Sequence, residues 1–324
     1  MPHEPIMGRH GSDVRLPQLL HFAAFATRWA VTNGPRGTGR ILPPLVRRLH
    51  TPQSNATSVQ AIVEVSPGLV VNVDTASTYE RDLYFLGSRF YEPEVRSLLP
   101  RLIRRGHSAL DIGANIGIHA IVMAIASNGG TVLAVEPVAA NVDRLRANIQ
   151  INGLRNIIVV EAAASERPGT IEIHVPATGS ASQPYASVVA NVEFLSGSRP
   201  IEVRAASVDE LVAEYQVRDI DLIKVDVEGF EPAVLKGAWS TLGDQHPVLI
   251  VEHVQAWWSN AGFDGDELRR DLRSIGYEDV FLLYRRRTPS LIPVRSPLPD
   301  GNLLIVPRGR RLSINLGPIH GAAR

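Results

Sequence analysis

Three groups of charged residues stand at the ends of apolar runs. An ionised side chain is costly in such a place unless it is paired or used. The first is Asp111, which follows Ala109 and Leu110. The second is Lys224, Asp226 and Glu228, in a run that begins Asp221-Leu-Ile. The third is Glu252 and His253, at the end of Pro247-Val-Leu-Ile-Val. Strand alternation gives Lys224, Asp226 and Glu228 one parity. Open α/β sheets bind ligands beyond the carboxyl ends of their strands. Asp226, Glu252 and His253 are therefore expected together on neighbouring strand ends. Two carboxylates and an imidazole suit a divalent ion, Mg²⁺ or Mn²⁺. They equally suit a metal-free site in which His253 or a carboxylate is the general base, with Lys224 and Glu228 beside it. Either arrangement could activate an alkyl hydroxyl, whose proton must be removed or whose oxygen must be polarised. A structural Lys–Asp–Glu network and a structural strand-end histidine are the bland alternatives.

The segment from Asp111 to Glu136 indicates a cofactor. It reads as strand, glycine turn, helix, strand, acid, which describes a site for a nucleoside-bearing ligand at the edge of a parallel sheet. A dinucleotide fold asks for G-x-G-x-x-G, because pyrophosphate must rest on bare backbone. Here the order is Gly113-Ala114-Asn115-Ile116-Gly117-Ile118, with Asn115 and Ile118 where the second and third glycines belong. S-adenosylmethionine carries no phosphate and tolerates that bulk. Asp111, Gly113, Ala114, Asn115 and Gly117 are expected on its methionine side. Glu136, followed by Pro137, is expected at the ribose, and Ala162 completes the set. The bland alternative is a glycine turn in a flavodoxin-like domain without a cofactor. A nicotinamide oxidoreductase ranks last. Tyr91-Glu92-Pro93-Glu94 precedes the first strand. Its acids suit either the amino group of the methionine moiety or a helix cap. His119 reads as a helix-face residue.

Positioning these residues requires a mostly parallel sheet. Strands are predicted at 108–112, 131–135, 156–161, 221–226 and 247–251. Helices are predicted at 139–152, 231–239 and 266–275. Two last strands, 277–284 and 302–306, are separated by a proline-rich loop and read as an antiparallel terminal pair. Upstream, 60–65 and 69–74 read as a hairpin around Ser66-Pro67-Gly68, followed by helices at 77–86 and 94–105. Residues 165–205 break the βα rhythm and read as β-hairpins over the cofactor edge, at 170–175, 187–192 and 201–204. Residues 1–55 form an extension with seven arginines against two acids. Its amphipathic helix at 16–31 reads as a core cap or dimer contact, or as a helix lying on a membrane surface. The expected division is 1–55 extension, 56–107 lead-in, 108–310 catalytic domain and 311–324 tail.

Composition narrows the classes. The 324 residues are enough for one large α/β domain with additions. Net charge is zero, so no bulk attraction to nucleic acid is implied. Cysteine is absent, which excludes disulfides, thiolate metal sites and cysteine nucleophiles. No apolar run is long enough to span a membrane, and the amino terminus shows no secretory signal pattern. A cytoplasmic protein is expected, with peripheral contact to the inner membrane face as a further expectation. Of 33 basic residues only Lys224 and Lys236 are lysines, and both lie in one short segment. An ammonium is wanted there.

The ordered motifs resemble the FkbM family of S-adenosylmethionine-dependent methyltransferases. The resemblance runs from about Tyr91 to Val306. It rests on Asp-Ile-Gly-Ala-Asn-Ile-Gly (111–117), Val-Glu-Pro from 135, Ile-Lys-Val-Asp-Val-Glu-Gly (223–229), Val-Leu-Lys-Gly-Ala (234–238) and Val-Glu-His (251–253). It implies a class I methyltransferase fold and O-methylation of a hydroxyl on a sugar, glycolipid or polyketide-type acceptor. The strand-end acids also resemble those of metal-dependent catechol-type O-methyltransferases, with Glu252 and His253 departing from that pattern. Other readings are N-, C- or protein methylation, and a non-catalytic S-adenosylmethionine-binding protein. A homo-oligomer is compatible with the chain.

Overall fold

The structure is a computed structural model that describes residues 24, 26–27, 60–87, 91–175, 187–188, 198–284 and 290–310. The expected amphipathic helix at 16–31 lies outside these residues except for three helical positions, and the tail 311–324 lies wholly outside them. The chain opens with the hairpin β1 (Gln60–Ser66) and β2 (Leu69–Asp74), then α1 (Thr78–Leu86) and α2 (Pro93–Leu102). Ser77 caps α1 by accepting from the Glu80 amide, and Pro93 occupies the first turn of α2. The βα series follows: β3 (Ser108–Ile112), α3 (Ile118–Ser127), β4 (Val132–Glu136), α4 (Ala139–Ile151) and β5 (Ile157–Glu161). Next come β6 (Ala163–Ala164), β7 (Gly169–Val175), β8 (Arg199–Ala206), α5 (Val208–Glu214) and β9 (Ile220–Val225). The series ends with α6 (Glu231–Lys236), α7 (Trp239–Gln245), β10 (Val248–His253), α8 (Gln255–Asn260), α9 (Gly265–Ser274), β11 (Tyr277–Tyr284), β12 (Ser290–Pro293) and β13 (Gly301–Pro307).

The main sheet has the order β12-β11-β13-β10-β9-β3-β4-β5. Strands β5, β4, β3, β9 and β10 are parallel, and β13 runs antiparallel between β10 and β11. This is the class I methyltransferase order, with β12 as an added edge strand. Strand order reverses between β3 and β9, and a crevice opens there at the carboxyl edge. Every residue of β3, β4 and β9 is buried, as parallel strands covered on both faces must be.

Alternation sorts the strand residues into two layers. Ala109, Ala134, Leu222, Ile250 and Leu304 pack under the hairpin and α1–α3. Leu110, Leu133, Ile223, Leu249 and Val251 pack under α5–α9. The hairpin is tied to α4 by side chains. Asn148 Oδ1 accepts from the Asn72 amide at 2.8 Å, Asn152 Oδ1 accepts from the Val70 amide at 2.9 Å, and Arg144 pairs with buried Glu80.

Four elements depart from expectation. In the 165–205 segment β7 pairs directly with β8, from Gly169↔Ala205 to Val175↔Arg199, and Ser187 bridges to His174, while the rest of the expected run 187–192 beyond Val188 lies outside the described residues. The helix expected over 231–239 is divided at Gly237 into α6 and α7, and the residue there is glycine because the backbone of Ser165 lies where a Cβ would stand. Short α8 and edge strand β12 lack the periodicity that would reveal them.

Candidate functional site

The turn after β3 owes its shape to its neighbours. Gly113 has φ +81°, and its amide and that of Ala114 donate to Val135 O at 2.9 and 3.0 Å. A Cβ on Gly113 would overlap the backbone carbonyl oxygen of Asp226. The glycine therefore serves the close approach of β3 to β9. Gly117, with φ +93°, lies against the side chain of Leu145. Asn115 is left-handed at φ +51°, and its amide donates to Glu136 Oε2 at 2.9 Å. Glu136 Oε1 accepts from the Val138 amide and from Asn141 Nδ2, both at 3.1 Å. Burial pushes the Glu136 carboxyl up to about 7, although the Val138, Asn141 and Asn115 donors favour its ionised form.

Beside this turn lies a carboxylate cluster built on one buried ammonium. Lys224 Nζ contacts Asp226 Oδ2 at 2.7 Å. Burial opposes the Lys224 charge, but Asp226, Asp111 and Glu92 more than offset that and raise its pKa. Asp111, only 1% exposed, is raised to about 6 by burial, with Lys224 acting against the shift. Glu92 sits in the left-handed region at φ 32° before Pro93. Its Oε1 accepts from Asn302 Nδ2 at 2.7 Å, and its Oε2 lies 3.3 Å from His119 Nε2. Burial raises Glu92 to about 7 and lowers His119 well below the usual imidazole value. Glu228 and Glu252 are both raised well above the carboxylate range, by burial first and then by Asp226. The loop holding Asp226 and Glu228 is pinned by Glu231. Glu231 Oε1 accepts from the Val227 and Gly229 amides at 2.9 and 3.2 Å, and its Oε2 accepts from Trp258 Nε1 at 2.8 Å.

Turn and cluster face one cavity of about 350 Å³. Of the residues singled out in the sequence, Gly113, Asn115, Glu136, Pro137, Ala162, Asp226, Glu228 and Glu252 line it. Asp111, Ala114, Gly117 and Lys224 stand behind the wall. The acids of Tyr91-Glu92-Pro93-Glu94 reach the wall as well.

His253 does not reach the cavity, contrary to the sequence expectation. Consecutive residues of a strand point to opposite faces. Glu252 takes the cavity side, and His253 turns with Val251 into the layer under α5–α9. There its Nδ1 lies 2.9 Å from Pro299 O, and its ring stands at 89° to Trp258 with centroids 4.5 Å apart. The expected metal set of Asp226, Glu252 and His253 is thus not assembled. Among the described residues, Asp226, Glu231 and Glu252 do bring ligand atoms within 4.8 Å of one another. The three N–H donors on Glu231 and the Lys224 ammonium on Asp226 already occupy that set, and they suit an anionic scaffold better than a divalent ion.

Sequence reasoning passed over Tyr79, Phe230, Ile173 and Val188 on the cavity wall. It also gave Glu231 no role, since an acid in a first helical turn is ordinary. Only the position of Trp258 across the loop shows its use.

Residues 111–278 match the family described as Methyltransferase FkbM domain, a little over half of the chain. The Hexuronic acid methyltransferase AglP of Haloferax volcanii is 30% identical over 143 residues, which are 44% of this chain and 54% of the relative. The Methyltransferase sdnD of Sordaria araneosa is 26% identical over 177 residues, 47% of this chain and 67% of the relative. The chain thus spans about half the length of the first relative. The crystal structure of Methyltransferase FkbM from Methylobacillus flagellatus KT is 16% identical, with 71% of this chain and 54% of that chain covered at a TM-score of 0.38. With its motifs, its strand order and its match over 111–278 in agreement, this chain belongs to the FkbM methyltransferase domain family.

Proposed function

We propose that the chain is an S-adenosylmethionine-dependent O-methyltransferase acting on a hydroxyl of a sugar, glycolipid or polyketide-type acceptor. One observation carries the reading. A single cavity at the strand-order reversal runs from Glu136 past the bare backbone of Gly113 to Asp226, Glu228 and Glu252. The Haloferax relative, whose name places it on a hexuronic acid, supports a glycosyl acceptor.

The residues present fit the cofactor. Glu136 keeps acceptor capacity beyond its three N–H donors and can take ribose hydroxyls. Gly113 leaves backbone rather than side chain on the wall. Bound S-adenosylmethionine supplies an electrophilic methyl group on a sulfonium. The chain's own work is to orient the acceptor and accept its proton. Glu252 and Glu228 face the cavity, where a carboxylate can accept the proton of an acceptor hydroxyl. Asp226 holds Lys224 and orients the acceptor. A carboxylate would take the hydroxyl proton as the acceptor oxygen gains the methyl group, whose bond to the sulfonium would break to leave the neutral thioether of S-adenosylhomocysteine. This reading needs no metal, and we favour it over a Mg²⁺ or Mn²⁺ site because Lys224 and the donors on Glu231 already occupy that set. Among the described residues no helix is long and apolar enough to cross a membrane, so a glycolipid acceptor would be met at a membrane surface.

The test combines calorimetry and labelled methyl transfer. S-adenosylhomocysteine should bind and NAD should not. Asp226→Asn and Glu252→Gln should keep that binding and lose turnover, and EDTA should leave wild-type turnover unchanged. Absence of S-adenosylhomocysteine binding would refute the cofactor. Full turnover in both variants would refute the assignment of the acids. Metal-restorable loss in EDTA would reinstate the ion.

A further inference from the structure

Six acids line the cavity: Glu92, Glu94, Glu136, Asp226, Glu228 and Glu252. Among the described residues no lysine, arginine or histidine lines it. The nearby cations among the described residues are spoken for. Lys224 lies behind the wall and is paired to Asp226, and buried Arg96 donates to Val65 O at 2.6 Å. His119 lies 3.3 Å from Glu92, and burial disfavours a charge on its imidazole. Among the described residues, Glu136 has N–H donors on both carboxylate oxygens, from Asn115, Val138 and Asn141, and these hold the turn after β3. By contrast, Oε2 of Glu252 and Oε2 of Glu94 are shielded from solvent and have no hydrogen-bond partner among the described residues. Such atoms need a donor, which a hydroxyl, an amide or an ammonium can supply and a carboxylate cannot.

From this charge distribution we infer that the acceptor is an uncharged hydroxyl compound, a neutral glycosyl or polyol group, and not a uronate or other anion. The inference rests on the O-methyltransferase reading and narrows its acceptor. It also separates this chain from its Haloferax relative, whose name specifies a hexuronic acid. At pH 8 the wall acids raised to about 7, Glu92 and Glu136, are ionised, and they repel an anionic acceptor across a water-poor cavity far more than they would in bulk water. Admitting such an acceptor would require these acids to take up protons. A neutral polyol meets no such penalty, and its hydroxyls can donate to the unpartnered oxygens.

The experiment uses three acceptors of one shape: methyl glucopyranoside, methyl glucopyranosiduronate and the matching uronamide. Initial rates with labelled S-adenosylmethionine at pH 8 give kcat/KM. Saturation-transfer NMR on the protein loaded with S-adenosylhomocysteine reads binding independently of turnover. The hexoside and uronamide should exceed the uronate at least tenfold in either measurement. Glu94→Gln should narrow that ratio at least threefold, as should 0.5 M salt. A uronate equal to or better than its amide overturns the inference, and so does failure of all three to bind the loaded protein. If S-adenosylhomocysteine itself does not bind, the cofactor reading fails first and takes the inference with it.

Discussion

Replacing Gly113 by alanine separates two physical costs that the structure makes calculable. Gly113 has φ +81°, and its added Cβ would overlap the Asp226 carbonyl oxygen. The left-handed conformation alone costs a non-glycine residue roughly 1–2 kcal/mol. The overlap adds to this, because Asp226 has little room to retreat. Its amide donates to Ile112 O at 3.0 Å, and β9 is paired to β3 up to Val225. Relief requires giving up at least that bond, about 1 kcal/mol net, together with local packing. The expected loss for Gly113→Ala is therefore at least about 2–3 kcal/mol, and more with the packing lost. Gly106 is the control. It has nearly the same φ, +83°, and nothing within 4 Å of the added Cβ. Gly106→Ala should cost only the conformational part, roughly 1–2 kcal/mol. Urea unfolding of both variants measures the difference. The functional consequence follows from the direction of the clash. Asp226 is displaced more than the cofactor wall, so turnover should fall further than S-adenosylhomocysteine affinity. Loss of stability in Gly113→Ala within 0.5 kcal/mol of that in Gly106→Ala, a margin of roughly experimental error, would refute the close-approach argument.

Three further outcomes are expected. Glu136→Ala should weaken S-adenosylhomocysteine binding by about 1–3 kcal/mol and lower the melting temperature, since three N–H donors lose their acceptor; calorimetry showing unchanged affinity in the folded variant rules out the ribose role. His253→Ala should destabilise the fold by about 2–4 kcal/mol through a cavity beside Trp258, yet leave turnover per folded molecule intact. A folded but inactive His253→Ala would return the imidazole to the chemistry. Glu92, Glu136 and Glu231 each reach about 7 against an ordinary 4.5, with burial as the leading cause. The native state thus binds more protons than the unfolded chain between these values, so their stabilisation is complete below pH 4.5 and declines as pH rises through 7. The melting temperature should fall from pH 5.5 to pH 8, and a rise across that interval contradicts the placement of these three acids.

What the sequence determined is local. Apolar runs ending in charge marked β3, β4, β9 and β10, and the glycine turn after Asp111 marked the cofactor edge. Both signals live in adjacent residues and in the periodicity of strands and helices. Glu136, Asp226, Glu228 and Glu252 were legible for that reason, because each follows a strand that can go nowhere but the sheet. Parity was also available in principle, and it separates Glu252 from His253. The grouping of those two by nearness along the chain overrode it. The tertiary structure alone decided the rest. The role of Glu231 depends on Trp258, 27 residues away, lying across the loop it holds. The constraint on Gly113 comes from a carbonyl on β9, more than a hundred residues later in the chain. Tyr79, Ile173 and Val188 join one wall only because the lead-in and the β7–β8 sheet fold over the same edge. Periodicity records which way a side chain faces, but the group it meets there is set by packing between distant segments.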